Sequence, residues 1–263
     1  SVLPEMIAGT AAFHRESHGR WAWATTFDAR GFEKPGFAER TIAGLQQGFA
    51  QEAIAVKVWK NVGMGIRGKS GEYLLPDNPA LLPVYEAVQK AGKTLICHLA
   101  EPDGAWLPLD SANSESGYLK NHPEWHMHGH TEAPSKEAIL AARDRVITRY
   151  PKLRVIGCHL GSNEEDLPRL AKRLDAMPNF VVDVASRVRY LMAGDRDKVR
   201  QFVLKYQDRL LYATDFTLAA GDDARAAQGL QATHDREWNF FATSDMVPLR
   251  DRQVQGLALP ESA

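Results

Sequence analysis

The sequence predicts an α/β fold built on a parallel β-sheet. Six short runs rich in Val, Ile, Trp and Thr are typical of buried strands. They lie at 20–28, 53–59, 94–102, 153–161, 179–186 and 209–216. Segments with helical periodicity separate them, and the runs are continuously apolar, which indicates that both faces of the sheet are covered. Two architectures fit this pattern, an open doubly wound sheet and a (β/α)8 barrel.

Four of the separating segments predict amphipathic helices. They span 77–92, 135–151, 162–178 and 195–207. In the first of them, Leu81, Tyr85 and Val88 fall on one face, as expected of a helix that packs against a sheet. In the third, Ser162 and Glu165 fit a capping box at the start of the helix.

The composition excludes several classes of function. The 32 Lys and Arg residues nearly balance the 33 Asp and Glu residues, so the net charge of -1 gives no basis for binding nucleic acid. No apolar run approaches the roughly 20 residues that span a bilayer. Cys97 and Cys158 lie in apolar runs and are expected to be buried thiols in a reducing compartment. We therefore expect a cytoplasmic protein with a small-molecule substrate and no membrane or nucleic-acid partner.

Two features of the loops narrow the fold. No Gly-rich phosphate-binding loop follows the first strand, which weakens the case for the dinucleotide-binding form of the open sheet. The segment 103–134 is much longer than the usual βα loop of about 2–6 residues. Because long loops in α/β enzymes commonly cover the active site, we expect this segment to form a lid.

Polar side chains close several of the predicted strands. Lys57 ends the second, His98 and Glu101 end the third, His159 ends the fourth and Asp215 ends the sixth. In a parallel barrel the carboxyl ends of all strands face one side, so these side chains would converge there. Each alone has an ordinary explanation, namely a hydrogen-bonded histidine, a helix-capping aspartate or a lysine paired with a carboxylate such as Glu101. Together they indicate a metal site suited to zinc or manganese.

Several stretches resemble the amidohydrolase superfamily, in its amidohydrolase-related branch of TIM-barrel metal-dependent hydrolases and decarboxylases. The matching stretches are AVKVWKNVGM, LICHLAEP, HPEWHM, AARDRVITRYPKLRVIGCHLGS, NFVVDVASR and LLYATDF. They extend from about residue 20 to residue 216. The resemblance implies a (β/α)8 barrel whose chemistry lies at the carboxyl ends of the strands.

The resemblance also implies roles for individual residues. His98 would be a metal ligand, His159 would assist catalysis, and Asp215 would bind the metal or the attacking water. These roles suit one divalent ion, zinc or manganese. In a second version, a carboxylated Lys57 would bridge two metals, and His98 and His159 would both bind the second ion.

One departure from the family pattern is large. Members of the branch carry a His-x-His pair on the first strand, and no such pair precedes the run 20–28. That run would therefore be the third strand, so we expect a single domain over 1–263 that is an incomplete barrel, with the first two strands and the final helix missing. His14 and His18, spaced i and i+4, could pair on a helix but are more typical of a solvated face. The open edge of such a barrel would need cover, which is consistent with a homo-oligomer.

The function expected from the resemblance is hydrolysis by metal-activated water. The substrate would be a small ester, lactone or amide of a carboxylic acid, with an aromatic ring favoured by tryptophans such as Trp59 near the strand ends. The alternatives are a metal-dependent decarboxylase, a non-catalytic barrel that binds a ligand, and a metal-free isomerase that uses Lys57 and Glu101 as its acid and base.

The histidine-rich run HPEWHMHGH at 122–130 lies within the predicted lid. It has no strand to hold metal ligands in place, so we expect it to be near the site rather than to form it. His126 or His128 is expected to touch the substrate, together with Lys57, Trp59 and Glu101.

Overall fold

A computed structural model describes residues 4–18, 20–217 and 223–263. The chain divides into two compact units. The first comprises residues 1–157 and 177–180, and the second comprises residues 158–176 and 181–263.

Four parallel strands form the centre of the first unit. They are β1 (Ala24–Thr26), β2 (Ala55–Val58), β3 (Thr94–Cys97) and β4 (Arg154–Gly157). Neighbours in the chain pair with each other, and the register places Lys57 opposite Thr26 on one side and Ile96 on the other. Cys97 in turn lies opposite Gly157. The carboxyl ends of the four strands therefore lie at one edge, as the sequence predicts.

Helices flank these strands. They are α1 (Ile7–Glu16), α2 (Phe37–Ala50), α3 (Asn61–Met64), α4 (Leu82–Lys90), α5 (Ser116–Asn121) and α6 (Lys136–Arg149), with 3-10 turns at Pro4–Met6, Asp103–Trp106 and Pro123–Trp125. Of these, α3 is a single irregular turn, since Val62 and Gly63 have non-helical backbone angles. Helix α2 approaches β1 so closely that a Cβ on Gly48 would lie 3.0 Å from Cβ of Thr25. Ser135 caps α6 by accepting the Ala138 N–H. At the other end, Asn179 donates to the carbonyls of residues 147, 150 and 153, so the carbonyls that end α6 are satisfied.

The second unit contains two further parallel strands and a hairpin. Strand β5 (Phe180–Asp183) pairs with β6 (Leu210–Leu211), and β7 (Met246–Leu249) pairs antiparallel with β8 (Arg252–Gln255). The short segment α7 (Cys158–Gly161) is a single turn whose residues 159 and 160 are left-handed. The helices are α8 (Leu167–Ala176), α9 (Val188–Ala193), α10 (Arg196–Tyr206) and α11 (Asp223–Ala242), with a 3-10 turn at Gln207–Arg209. Phe240 of α11 is buried, and its carbonyl accepts the Leu257 N–H beyond the hairpin.

The predicted α/β class is confirmed, and six parallel strands appear in the predicted order. Each strand is shorter than its apolar run, because residues at the end of each run leave the ladder to form the loops. The capping box predicted at Ser162 is wrong. Helix α8 begins at Leu167, and Asp166 caps it by accepting the Arg169 N–H at 2.8 Å. No helix among the described residues is long and apolar enough to cross a membrane.

Candidate functional site

The second unit begins with a left-handed turn, directly after the end of β4. Four consecutive residues have positive φ: His159 (60°), Leu160 (55°), Gly161 (58°) and Ser162 (58°). For residues with a side chain this conformation costs about 1–2 kcal/mol each, so contacts elsewhere must hold the turn. Strain of this kind is concentrated at functional sites, which directs attention to His159.

Two hydrogen bonds fix His159. Its backbone N–H donates to Oδ1 of Asp183 at 2.7 Å, and its ring Nδ1 lies 2.8 Å from the carbonyl oxygen of Ala185. Because a carbonyl oxygen only accepts, Nδ1 carries the hydrogen and Nε2 is the acceptor of the neutral ring. Histidines that bind metals or act as bases are commonly oriented in this way.

The His159 ring is stable in its neutral form. Its side chain is buried, and burial lowers the pKa of His159 below the ordinary imidazole value. The positive charge of Arg187 lowers this pKa further, while the Ala185 carbonyl and the charges of Asp183 and Asp215 oppose the shift. A neutral imidazole at neutral pH can accept a proton.

Positive φ angles also occur just beyond the ends of β5 and β6. Ser186 and Asp215 also have positive φ, at 55° and 59°. The Ser186 hydroxyl lies 3.4 Å from both Oδ2 of Asp215 and the carbonyl of Thr214, which makes these long contacts. Asp215 is exposed, and its negative charge favours a higher pKa of His159, against the larger opposing effects of burial and Arg187. Two residues that the sequence predicts for the site, His159 and Asp215, therefore interact electrostatically within the second unit.

Buried polar residues support the left-handed turn. Asn163 donates to the Gly161 carbonyl at 2.6 Å and accepts from Arg173 at 2.8 Å. Glu164 pairs with Arg187 at 3.3 Å, and both side chains are buried. Sequence reasoning missed these residues and the anchoring role of Asp183, because their partners are brought close by the fold and a polar residue alone gives no signal that it is buried.

The first unit carries His98 and Glu101 directly beyond β3. Both are buried, and the His98 N–H continues the ladder by donating to the Val58 carbonyl at 3.0 Å. Glu101 forms an ion pair with Lys60, whose ammonium group donates to Oε1 of the carboxylate. The structure thus gives Glu101 a lysine partner that sequence reasoning did not consider. The Lys57 carbonyl accepts from the Thr26 hydroxyl at 2.7 Å.

A cleft opens at the carboxyl ends of β1 and β2. Its volume is about 1120 Å³, and Trp59 lines it with 45% of its surface exposed. The Trp59 ring packs edge-on against Trp125, with centroids 5.1 Å apart. Charged residues of both signs also line this cleft, and Arg30 pairs with Asp28 at 2.8 Å. The others are Glu5, Lys34 and Arg40. An exposed aromatic wall in a cleft of this size suits a ligand that contains a ring.

Two histidines of the predicted lid, the segment 103–134, form hydrogen bonds with its backbone. Nε2 of His126 lies 2.9 Å from the Leu107 carbonyl, and Nδ1 of His128 lies 3.3 Å from the Trp106 carbonyl. Both bonds join residues within the segment 103–134. A contact of either ring with substrate remains a prediction. At the other end of the chain, the His14 ring binds the Trp21 carbonyl, which is also a structural role.

The expected metal needs several donor side chains close together. The tautomer of His159 suits a metal ligand, but the described residues contain no group of three or more His, Cys, Asp or Glu side chains that could hold an ion. Metal sites of the expected kind use at least three protein ligands. The described donors therefore do not fit a complete metal site.

Solved structures share the fold of this chain. An uncharacterised TIM-barrel protein from Bordetella bronchiseptica is 16% identical over 88% of this chain and 73% of its own, with a TM-score of 0.51. A 2,6-dihydroxybenzoate decarboxylase from Rhizobium is 18% identical over 87% of this chain and 70% of its own, with a TM-score of 0.53. A dihydroxybenzoic acid decarboxylase from Polaromonas, with bound manganese and the inhibitor 2-nitroresorcinol, is 17% identical over 86% and 67%, with a TM-score of 0.51. At these identities the likeness shows the barrel fold.

The family follows from a sequence comparison. None of the curated proteins matches the chain. A family model described as amidohydrolase matches residues 14–244, which is most of the chain and includes every predicted strand. The chain therefore belongs to the amidohydrolase family.

Proposed function

We propose that this protein is a hydrolase of the amidohydrolase type. It cleaves a C–O or C–N bond of a small ester, lactone or amide of a carboxylic acid. The observation that carries the proposal is the neutral His159, whose Nδ1–H is committed to the Ala185 carbonyl and whose acceptor is therefore Nε2. Hydrolysis at neutral pH needs such a base to take a proton from water.

The residues of the second unit have complementary tasks in this proposal. His159 accepts the proton of the attacking water at Nε2, and the negative charge of Asp215 stabilises the imidazolium that results. Asp183 holds the His159 backbone, so it acts through position. The proton then passes to the leaving oxygen or nitrogen.

The residues of the first unit bind the substrate in this proposal. Trp59 offers an exposed ring in the cleft, which favours an aromatic substrate. Lys57 and Glu101, at the ends of β2 and β3, remain the predicted polar contacts. His126 and His128 remain predicted contacts from the lid.

The proposal also includes one divalent metal ion, which is considered apart from the proton transfers. His98 and Asp215 are the expected ligands, and zinc or manganese is the expected ion. Since the described donors do not form a complete set, the proton transfers above are derived from the chain's own residues. Metal analysis by mass spectrometry, in the wild type and in H98A and D215N, tests the ligands. Unchanged metal content in both variants would remove them from that role.

Substrate profiling tests the reaction. Purified protein supplied with zinc or manganese is assayed on matched aryl esters, lactones and anilides. We expect hydrolysis that H159Q reduces at least a hundredfold, since a general base commonly contributes about 10²–10⁴-fold. H122Q is the matched control, because His122 is an exposed lid histidine. Equal rates in H159Q and H122Q would refute the assignment of the base.

Decarboxylation of an aromatic acid is the second candidate. Two of the fold relatives described above are dihydroxybenzoate decarboxylases, and the exposed Trp59 ring lines the cleft. In that reaction the carbon–carbon bond breaks, carbon dioxide leaves and a proton is added to the ring carbon. Because the pKa of His159 is lowered, few of these rings carry the extra proton at neutral pH that would be added to the ring carbon, which favours hydrolysis. Release of carbon dioxide from dihydroxybenzoates, without ester hydrolysis, would make decarboxylation the favoured function and hydrolysis the second candidate.

A further inference from the structure

Lys60 is a buried cation at the carboxyl edge of the first unit. Only 3% of the residue is exposed, and it immediately follows the strand end that carries Val58 and Trp59. A buried ammonium is costly unless it is paired and hydrogen-bonded. Lys60 meets both conditions, since it binds the Glu101 carboxylate and donates to the Tyr118 hydroxyl at 2.9 Å. The Tyr118 hydroxyl in turn donates to the same carboxylate at 3.2 Å, which closes a triangle of three polar groups.

Aromatic rings surround the same ammonium. Nζ of Lys60 lies 4.5 Å from the ring centre of Trp125, 5.3 Å from that of Tyr118 and 5.4 Å from that of Trp59. Each distance is within the range of a cation–π interaction. An apolar side chain of the same length could fill this space but could not attract the rings or the carboxylate.

The partners of Lys60 come from separate segments of the first unit. Glu101 follows β3, whereas Tyr118 and Trp125 belong to the lid segment 103–134. A single ammonium therefore joins the lid to the strand edge that carries His98. The lid is also attached by an exposed pair, Arg67 with Glu132 at 2.9 Å, and exposed pairs contribute little to stability. At its start, Asp103 binds the buried Lys136 of α6 at 2.9 Å, which leaves the stretch around Tyr118 and Trp125 to Lys60.

We propose that Lys60 is a positioning residue that holds the lid segment against Glu101 and so fixes this carboxylate at the edge of the site. The consequence for substrate binding rests on the proposed function, whereas the attachment of the lid does not. The chemistry that holds the lid is recognition of an alkylammonium by a carboxylate, a phenol hydroxyl and three aromatic rings. The same groups would accept a small free amine once the lysine side chain is removed.

Hydrogen exchange measured by mass spectrometry tests this attachment without a substrate. In K60A we expect exchange at 116–125 to rise at least tenfold over wild type, while peptides of α6 keep their wild-type rates. Ethylammonium should restore the slow exchange with a saturable dose dependence, and ethanol at the same concentration should not. The matched control is K90A, which removes an exposed lysine paired with Glu86, and it should leave 116–125 unchanged.

A second variant keeps the proposal testable if K60A does not fold. Y118F removes only the hydroxyl that joins Lys60 to Glu101, and Tyr118 is 39% exposed, so the fold should tolerate the change. We expect exchange at 116–125 to rise severalfold in Y118F. Unchanged exchange at 116–125 in a folded K60A or in Y118F would overturn the attachment. So would a K60A response to ethylammonium that is no greater than its response to ethanol.

Activity assays separate this inference from the proposed function. If the protein hydrolyses an ester, K60A should raise KM more than it lowers kcat, and ethylammonium should restore KM. If no hydrolysis is found, the exchange experiment still decides whether Lys60 holds the lid. A kcat loss without a change in KM or in lid exchange would contradict a positioning role.

Discussion

The position of His159 could be predicted from the sequence, whereas its backbone conformation and its partners could not. Its position at the end of an apolar run predicts a strand-end histidine, and the structure confirms that position. The left-handed backbone and the partners Asp183 and Ala185 could not be read from the sequence. They depend on residues more than 20 positions away, whereas sequence patterns report mainly local periodicity.

The lowered pKa of His159 predicts a pH dependence of stability. The unfolded chain protonates this ring near pH 6.5, whereas the folded protein resists protonation until a lower pH. The stabilising contribution is therefore present above about pH 6.5 and is lost as the pH falls below that value. Urea denaturation of the metal-free protein between pH 5 and 8 measures this. H159Q should show a shallower pH dependence than the wild type and than H122Q, and identical slopes would contradict the expectation.

Gly63 predicts a local packing constraint. Its φ is 104°, and a Cβ at this position would lie 2.9 Å from Cγ2 of Ile139 in α6. G63A should therefore lower the free energy of unfolding by about 1–3 kcal/mol, because backbone strain adds to overpacking. Gly71 is a matched control, since its φ is 90° but a Cβ there would meet nothing within 4 Å. G71A should show the smaller loss in urea denaturation, and an equal loss would remove the packing component.

At the level of elements, the regular αβ alternation was predictable and the elements outside it were not. The six strands and the four predicted helices are present, because each has a continuous apolar run or an apolar stripe. The sequence reasoning did not identify α2, α11 or the β7–β8 hairpin. The displaced start of α8 has a clear cause, since Ser162 belongs to the left-handed turn and cannot cap a helix that begins at Leu167.

Two helix caps allow one prediction in each unit. Ser135 accepts the Ala138 N–H at the start of α6, and Asp195 accepts the Lys198 N–H at the start of α10. S135A and D195A should each lower the free energy of unfolding by about 1 kcal/mol, because a backbone donor loses its partner. Thermal or urea denaturation measures the change, with S262A in the exposed C-terminal residues as the control. A loss no larger than that of S262A would show that the cap is not needed.

At the level of the whole molecule, the two cysteines report on the two compact units. Cys97 belongs to the first unit and Cys158 to the second, and both are buried thiols that form no disulfide. Burial raises the pKa of the Cys97 thiol to about 12. At pH 8 only about one Cys97 side chain in ten thousand would be a thiolate, and the thiolate is the reactive form.

Thiol labelling therefore measures the opening of each unit. We expect both cysteines to react with a disulfide reagent at pH 8 at least a hundredfold more slowly in the folded protein than in urea. Peptide mass spectrometry assigns the label to Cys97 or Cys158, and C97S and C158S identify each signal independently. Fast labelling of Cys97 in the folded protein would contradict its burial.

The left-handed turn also has a consequence for synthesis on the ribosome. The residues at 159–162 emerge before Asp183 and Ala185, and the left-handed conformation is unfavourable for His159 and Leu160 without those partners. The nascent chain therefore holds no oriented His159 until the residues up to 185 have left the exit tunnel. The orientation of His159 is therefore completed only after the whole of the first unit has been made.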